Sequence, residues 1–256
     1  MIRVMTFNIR FDDYQNGENT WQYRRELVIQ VIKRYSPSIL GTQEGKWHQL
    51  MYLKEHLGEY AIHVPDRVID DTCQYPTLFY CKKRFHVEGG GEFWLSKTPA
   101  VHLSKNWDSA FPRMMSYGLF LDQETGKRLW VLVTHLDHKR GQARWEQAKI
   151  IGEFIRKHEG PAIVMGDFND RPDSSVHELL TREKFGLYDT WQVLGRKEDE
   201  LSMTQHGFQG SPQKTRMDWI FVSRHFQVID AHIIRDSSEG RYPSDHFPYG
   251  VDLEWR

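Results

Sequence analysis

At 256 residues with a formal net charge of −1, the chain is long enough to bury a sizeable core and carries no lysine or arginine run. That balance excludes the long basic face by which a protein tracks duplex DNA and leaves room only for a local basic cleft. No stretch approaches the ~18 apolar residues of a membrane span, the N-terminus lacks the charged and apolar regions of a secretory signal, and Cys73 and Cys81 show no zinc-ligand spacing, so we expect free thiols in a cytoplasmic protein, or a secreted one whose signal was removed.

Residues 2–9 alternate like a strand and deliver Asn8 near its end. Thr20 then offers an N-cap, and Leu27, Val28, Val31, Ile32 and Tyr35 recur at helical spacing until Pro37 ends the element. Residues 38–44 read as a short buried strand closing on Glu44, with a helix from about Lys46 to Leu57 behind it. A lone glutamate there also suits a solvated helix start; its company decides between the two.

From Tyr60 to Leu95 the pattern is strand-rich, with strands at 77–81 and 85–87, the second ending before three consecutive glycines. Residues 96–115 carry little periodicity and predict a long loop that includes Arg113. A hairpin follows, 117–121 and 128–135, whose second strand ends on His135; a histidine in that place is also compatible with a core or edge role. A helix over 143–158 presents Ala148, Ile151, Phe154 and Ile155 inward.

Residues 163–174 hold the most informative stretch. An apolar strand stops at Gly166, and Asp167, Asn169, Asp170 and Asp173 follow before Ser174 can cap a helix over 176–183. A strand end that releases carboxylates and an amide into one cleft suits metal or phosphate chemistry, although an Asx-rich turn into a helix uses the same residues. Residues 189–212 read as loop. The strand expected at 215–222 places Asp218 in its apolar middle, where an unpaired carboxylate would cost several kcal/mol. Asp245 and His246, just before a last strand at 249–255, supply the candidate partner. With no repeat, linker or low-complexity segment, 1–256 reads as one catalytic domain.

Taken together, Phe7-Asn8-Ile9, Gln43-Glu44, Thr134-His135-Leu136, Gly166-Asp167-Phe168-Asn169, Arg216-Met217-Asp218 and Ser244-Asp245-His246 resemble the endonuclease/exonuclease/phosphatase superfamily. Its members include deoxyribonucleases, apurinic endonucleases, sphingomyelinases, inositol polyphosphate phosphatases and deadenylases. The segments 91–99 and 134–138 are closer in texture to its small bacterial members. The resemblance implies an α/β fold, a four-layered α/β/β/α sandwich of two mixed β-sheets flanked by helices. It also implies a phosphoesterase dependent on Mg2+, with Mn2+ as a substitute. By motif position, Glu44, Asn8 and Asp245 match the metal region, and Asp167 the residue that orients or deprotonates the attacking water. Asn169 matches a donor to phosphoryl oxygens, Asp218 the partner of the catalytic histidine His246, and His135 and Arg113 phosphate-contacting positions. Arg171, two residues past Asn169, could add a phosphate contact or stand solvated at the helix entry. The near-neutral charge favours a small phosphorylated substrate; a nuclease and an inactive binding module are the rival readings.

Overall fold

The computed structural model of this chain describes residues 1–70 and 72–256. Among them the strands are β1 Ile2–Asn8, β2 Ile39–Gly45, β3 Tyr60–His63, β4 Tyr75–Cys81, β5 Phe85–Trp94, β6 Met114–Asp122, β7 Lys127–His135, β8 Ala162–Asp167, β9 Leu187–Asp189, β10 Asp218–Ser223, β11 Phe226–Ile233 and β12 Tyr249–Trp255. The helices are α1 Trp21–Tyr35, α2 Trp47–His56, α3 Gly141–Lys157, α4 Ser175–Leu180 and α5 Thr190–Val193. Two six-stranded sheets result, ordered β11-β12-β1-β2-β4-β3 and β5-β6-β7-β8-β10-β9. Each is mixed: β1 and β2 run parallel in the first, β7 and β8 in the second, and the remaining pairs are antiparallel.

Side-chain alternation explains why the sheets stack. In β8, Ile163 and Met165 join Val4, Ile39, Val131 and Val133 in a core between the sheets, while Val164 faces Ala148, Ile151 and Ile155 of α3. In β1, Val4 points into the shared core and Met5 and Phe7 face Val28, Ile29 and Ile32 of α1. The order of layers is therefore α/β/β/α, as the sequence resemblance implies.

Several boundaries differ from the sequence reading, each for a physical reason. Strand β5 does not stop before the glycines but runs through them to Trp94, paired with β6 down to Met114. A Cβ on Gly90 would lie 2.4 Å from the Tyr117 carbonyl oxygen, so the glycines permit the strand rather than end it. Asp218 opens β10 instead of sitting mid-strand, because Thr204 Oγ1 accepts from Met217 N and Asp218 N (3.1 and 3.3 Å) and takes the place of a ladder partner. Strand β11, unread in the sequence, has its alternation broken by a bulge between Val228 and Asp230. In α1, Ile29 is buried and Leu27 only half-buried; Phe154 is likewise half-buried, stacked on His158. Helix α4 ends at Leu180, short of the expected Glu183, and β9 and α5 interrupt the loop expected from Asp189. Thr20 holds the N-cap position of α1 without a side-chain hydrogen bond there; Asp12 Oδ1 accepts from Trp21 N instead, at 3.1 Å.

A buried ion network pins the sheet edge beneath the Asp218 strand. Arg216, fully buried, donates to Asp189 Oδ2 at 2.8 Å and to Glu198, and His177 Nε2 lies 2.7 Å from the same Asp189 oxygen. Burial alone would raise the Asp189 carboxyl, but His177 and Arg216 outweigh it and hold the group below its ordinary range. A depressed folded value contributes stability above the unfolded pKa of about 3.9 and loses it as pH falls through the folded value. Asp189→Asn should therefore destabilise the protein by about 3 kcal/mol at pH 7, the low end for a broken buried pair because Glu198 remains. Denaturant unfolding at pH 7 and pH 3 checks this: the gap between variant and wild type should narrow at low pH, and an unchanged gap would remove the charge from the account.

Candidate active site

The register of the second sheet sets the site. His135 ends β7 beside Asp167, which ends β8, and Asp218 starts β10 opposite that same Asp167. All three share the parity of the inter-sheet residues Val133, Met165 and Ile220, so their side chains fall where the shared core opens at its end. Gly166 makes the register possible, since a Cβ there would stand 2.1 Å from the Thr134 carbonyl oxygen.

The first sheet contributes Asn8 and Glu44. Asn8 keeps the inward parity of Val4, but strict alternation would turn Glu44 outward, toward the helices. A register irregularity between Thr42 and Gly45 and a left-handed φ of 64° at Glu44 re-aim it. Asn8 Nδ2 then donates to Glu44 Oε1 at 3.1 Å and to Asp167 Oδ2 at 3.0 Å, bridging the two sheets. Its Oδ1 accepts from Arg10 N at 3.1 Å. Asn8 thus donates to both carboxylates, and Glu44 Oε2 accepts in turn from Phe11 N at 3.2 Å.

The loop before β12 closes the cluster. Ser244 Oγ donates to the Asn8 carbonyl at 2.6 Å, fixing Asp245 and His246 over the strand ends. His246 Nδ1 donates to Asp218 Oδ2 at 2.8 Å and lies 3.9 Å from Asp167 Oδ2. Burial opposes a charge on His246, yet Asp218, with Asp167 and Asp245 behind it, pushes the imidazole up to about 10. Burial, joined by the Asp218 charge, pushes Asp167 up to about 7. His135 goes the other way: burial, then the Arg113 charge, drive it well below its usual value, and Asn169 Nδ2 donates to its Nε2 at 2.8 Å. Asn169 takes a left-handed φ of 51°, which asparagine tolerates, and its backbone N–H donates to Asp167 Oδ1 at 2.9 Å.

Arg113 stands at the edge of this cluster, buried, with its Nη2 3.3 Å from His138 Nδ1. Arg171 is not brought in; its exposed side chain pairs with Asp173 at 2.9 Å. Neither cysteine is disulfide-bonded; Cys73 is buried and Cys81 half-buried.

The structure also brings in residues that the sequence reading passed over. Arg10 Nη1 lies 3.7 Å from both Glu44 Oε2 and Asp245 Oδ2. Arg24 is buried and donates to the carbonyls of Ile9, Arg10 and Pro243, tying the loops after β1 and before β12 together. Its signal was available: a cation among Trp21, Val28 and Ile32 on the inner stripe of a helix. Asp137 accepts from Ser109 Oγ, Ala110 N, Lys139 N and Arg140 N, anchoring the 109–113 loop beside His135.

A divalent cation fits this donor set. Glu44 and Asp245 each bring a carboxylate oxygen to 3.7 Å from Arg10 Nη1, so a hard oxygen-seeking ion would find two carboxylates there once the guanidinium moves aside. The tighter group of Asp167, Asp218 and His246 has ligand atoms within 4.8 Å of one another, but its His246 nitrogen is already committed to Asp218.

A two-sheet sandwich whose opposed strand ends converge on carboxylates, an asparagine and a carboxylate-paired histidine defines a phosphoesterase-type hydrolase site. The chain belongs to the Endonuclease/Exonuclease/phosphatase family, whose model matches residues 5–246. Among solved structures it is similar to the mannosyl-6-phosphatase of Bacteroides thetaiotaomicron VPI-5482, at 30% identity and TM-score 0.89 over 100% of both chains. It is also similar to an endonuclease/exonuclease/phosphatase of Bacteroides vulgatus, at 32% identity and TM-score 0.91 over 100% of this chain and 99% of that one. Rat (Rattus norvegicus) Nocturnin is 24% identical over 286 residues, a match that takes in 96% of this chain but only 63% of Nocturnin's own length.

Asp218→Asn tests the dyad against a purely structural role. Losing the charge that orients and supports His246 should cut activity by at least about a hundredfold, by analogy with other Asp–His pairs. The protein should still fold at pH 7 with a lowered melting temperature, because His246 loses the partner that holds its proton but, unlike Arg216 opposite Asp189, can shed that proton. A variant that melts much earlier yet keeps its rate would make Asp218 a packing residue only.

Proposed function

We propose that this protein is a Mg2+-dependent phosphoesterase that hydrolyses a small phosphorylated substrate, a sugar phosphate foremost, by in-line attack of water. The observation that carries the reading is the convergence of Asp167, Asn169, His135 and the His246–Asp218 pair on one opening beside Glu44 and Asp245. The mannosyl-6-phosphatase similarity over the full length of both chains supports a phosphomonoester of a sugar. A net charge of −1 gives little support to a nuclease that tracks its polymer electrostatically. An inactive module finds none, since every motif position holds a chemically competent side chain.

In this mechanism Asp167 Oδ2 orients a water opposite the leaving oxygen and takes its proton as the oxygen–phosphorus bond forms and the ester bond breaks, the departing alkoxide taking a proton from solvent. His246, held protonated by Asp218, donates to a phosphoryl oxygen where negative charge accumulates. Asn169 Nδ2, on giving up its bond to His135 Nε2, supplies a neutral donor, and Arg113 a cation, to the remaining oxygens. Glu44 and Asp245 would hold the cation, which supplies Lewis-acid stabilisation of phosphoryl charge when bound, a contribution of several kcal/mol. No covalent intermediate with the protein is required.

Phosphate release should be measured on a panel of hexose phosphates, phosphodiesters, and single- and double-stranded nucleic acid with Mg2+ or Mn2+. Hexose phosphates should be turned over fastest; nucleic-acid cleavage that collapses steeply with salt would overturn the substrate reading. Glu44→Gln should raise the Mg2+ concentration needed for half-maximal rate by about tenfold or more, because an amide keeps the oxygen and loses its charge. Unaltered Mg2+ affinity by calorimetry would dismiss Glu44 as a ligand. EDTA should abolish turnover and leave the far-UV spectrum intact.

A further inference from the structure

Beside Arg113 the chain encloses a recess of about 270 Å3 walled by Cys73, Trp94, Leu103 and Phe111, with Gln74 on its polar side. Its lining mixes two kinds of chemistry. Arg113, only 6% exposed, has no carboxylate within 4.0 Å among the described residues; its Nε is unpartnered, and Nη2 meets only His138. Glu44 and Asp167 act on it only through space. A buried guanidinium left in that condition is costly unless an anion completes it. The rest of the lining is apolar and aromatic surface and the half-buried Gln74, whose carboxamide has no hydrogen-bond partner among the described residues.

We infer that this recess is the subsite for the organic part of the substrate, and that it takes the ring of a monosaccharide phosphate whose phosphoryl group lies toward Arg113. The inference rests on the phosphatase reading above and deepens it. Size argues for a single ring, because about 270 Å3 falls just below the roughly 300–1,000 Å3 typical of drug-sized ligands. Chemistry argues for a sugar: its C–H face suits Trp94 and Phe111, and its hydroxyl rim suits an amide that can donate and accept. The boundary cation makes a poor end for an acyl chain.

The test uses Gln74→Leu, which removes the amide at constant bulk, and Cys73→Trp, which fills the recess. Kinetics on a hexose 6-phosphate and on ethyl phosphate are paired with calorimetry of a hexose 6-sulfate, which the enzyme should bind without hydrolysing. Both variants should raise KM for the hexose phosphate at least about tenfold and weaken the sulfate ester equally. Their kcat, and their turnover of ethyl phosphate, should stay within about twofold of wild type. Equal losses on both esters, or none on either, would overturn the subsite; Gln74→Leu keeps the test valid if Cys73→Trp does not fold. A wild type that binds the hexose sulfate through Gln74 but hydrolyses no phosphomonoester would sink the phosphatase reading and keep the subsite. One that hydrolyses phosphomonoesters while both variants discriminate as it does would do the reverse.

Discussion

One carboxamide joins the two sheets at the end where their shared core stops. Asn8 Nδ2 reaches Glu44 on its own sheet and Asp167 on the other, so the relative placement of two carboxylates from separate layers depends on a single side chain. The strands beneath could slide within the tolerance of aliphatic packing; a bifurcated donor to two carboxylates tolerates far less. The Asn8 carbonyl in turn receives Ser244 Oγ, which fixes the loop bearing Asp245 and His246. The site is therefore positioned from the sheets outward, with the loops fastened afterwards by Arg24 on one side and Asp137 on the other.

The consequence is electrostatic. Glu44, Asp167, Asp218 and Asp245 crowd one opening, three of them buried, and such a concentration persists only if cations or protons offset it. Each carboxylate finds a different answer. Asp218 is matched by His246, Asp167 is pushed toward its protonated form, and Glu44 and Asp245 share a distant Arg10. In the function proposed above, that division also separates the chemical tasks: Asp167 as the acceptor of a proton, His246 as a cationic donor, and Glu44 and Asp245 as the carboxylates that would hold a metal.

Much of this was legible in the sequence because strand ends have local signatures. Asp167 follows an apolar run and a glycine, His135 closes another, and the buried Asp218 demanded a partner that Asp245-His246 could supply. The two-sheet, helix-covered layout came from the family resemblance, and the reading of alternating strands, helices and hairpins agreed with it. What escaped has a common cause, since it depends on backbone conformation or distant contacts. The aim of Glu44 comes from a left-handed φ, not from its place in the alternation. The glycines of β5 read as a break because their use, the close approach to Tyr117 and His63, lies on other strands. Arg171 has the spacing of a site residue, yet the chain turns it toward Asp173 and solvent. Strand β11 hid behind a bulge.

Chemistry and selectivity occupy different parts of the fold. Every group given a part in bond-breaking, apart from Arg113, sits on a strand end or on the short Asp245-His246 connection, where neighbouring strands hold it in register. The recess beside Arg113 is built by the 72–74 stretch, by Trp94 at the end of β5, and by residues 103–112, none of which pairs with β7, β8 or β10. Loops of that kind can exchange side chains without moving Asp167 or His246, because Asp137 fastens the 109–113 segment through its backbone and Ser109 rather than through the residues that line the recess. A scaffold arranged so can keep one phosphoryl-transfer apparatus and vary the group attached to the phosphate. Similarity in the strands therefore speaks to reaction type, and on the subsite proposed above substrate is read from Trp94, Phe111 and Gln74.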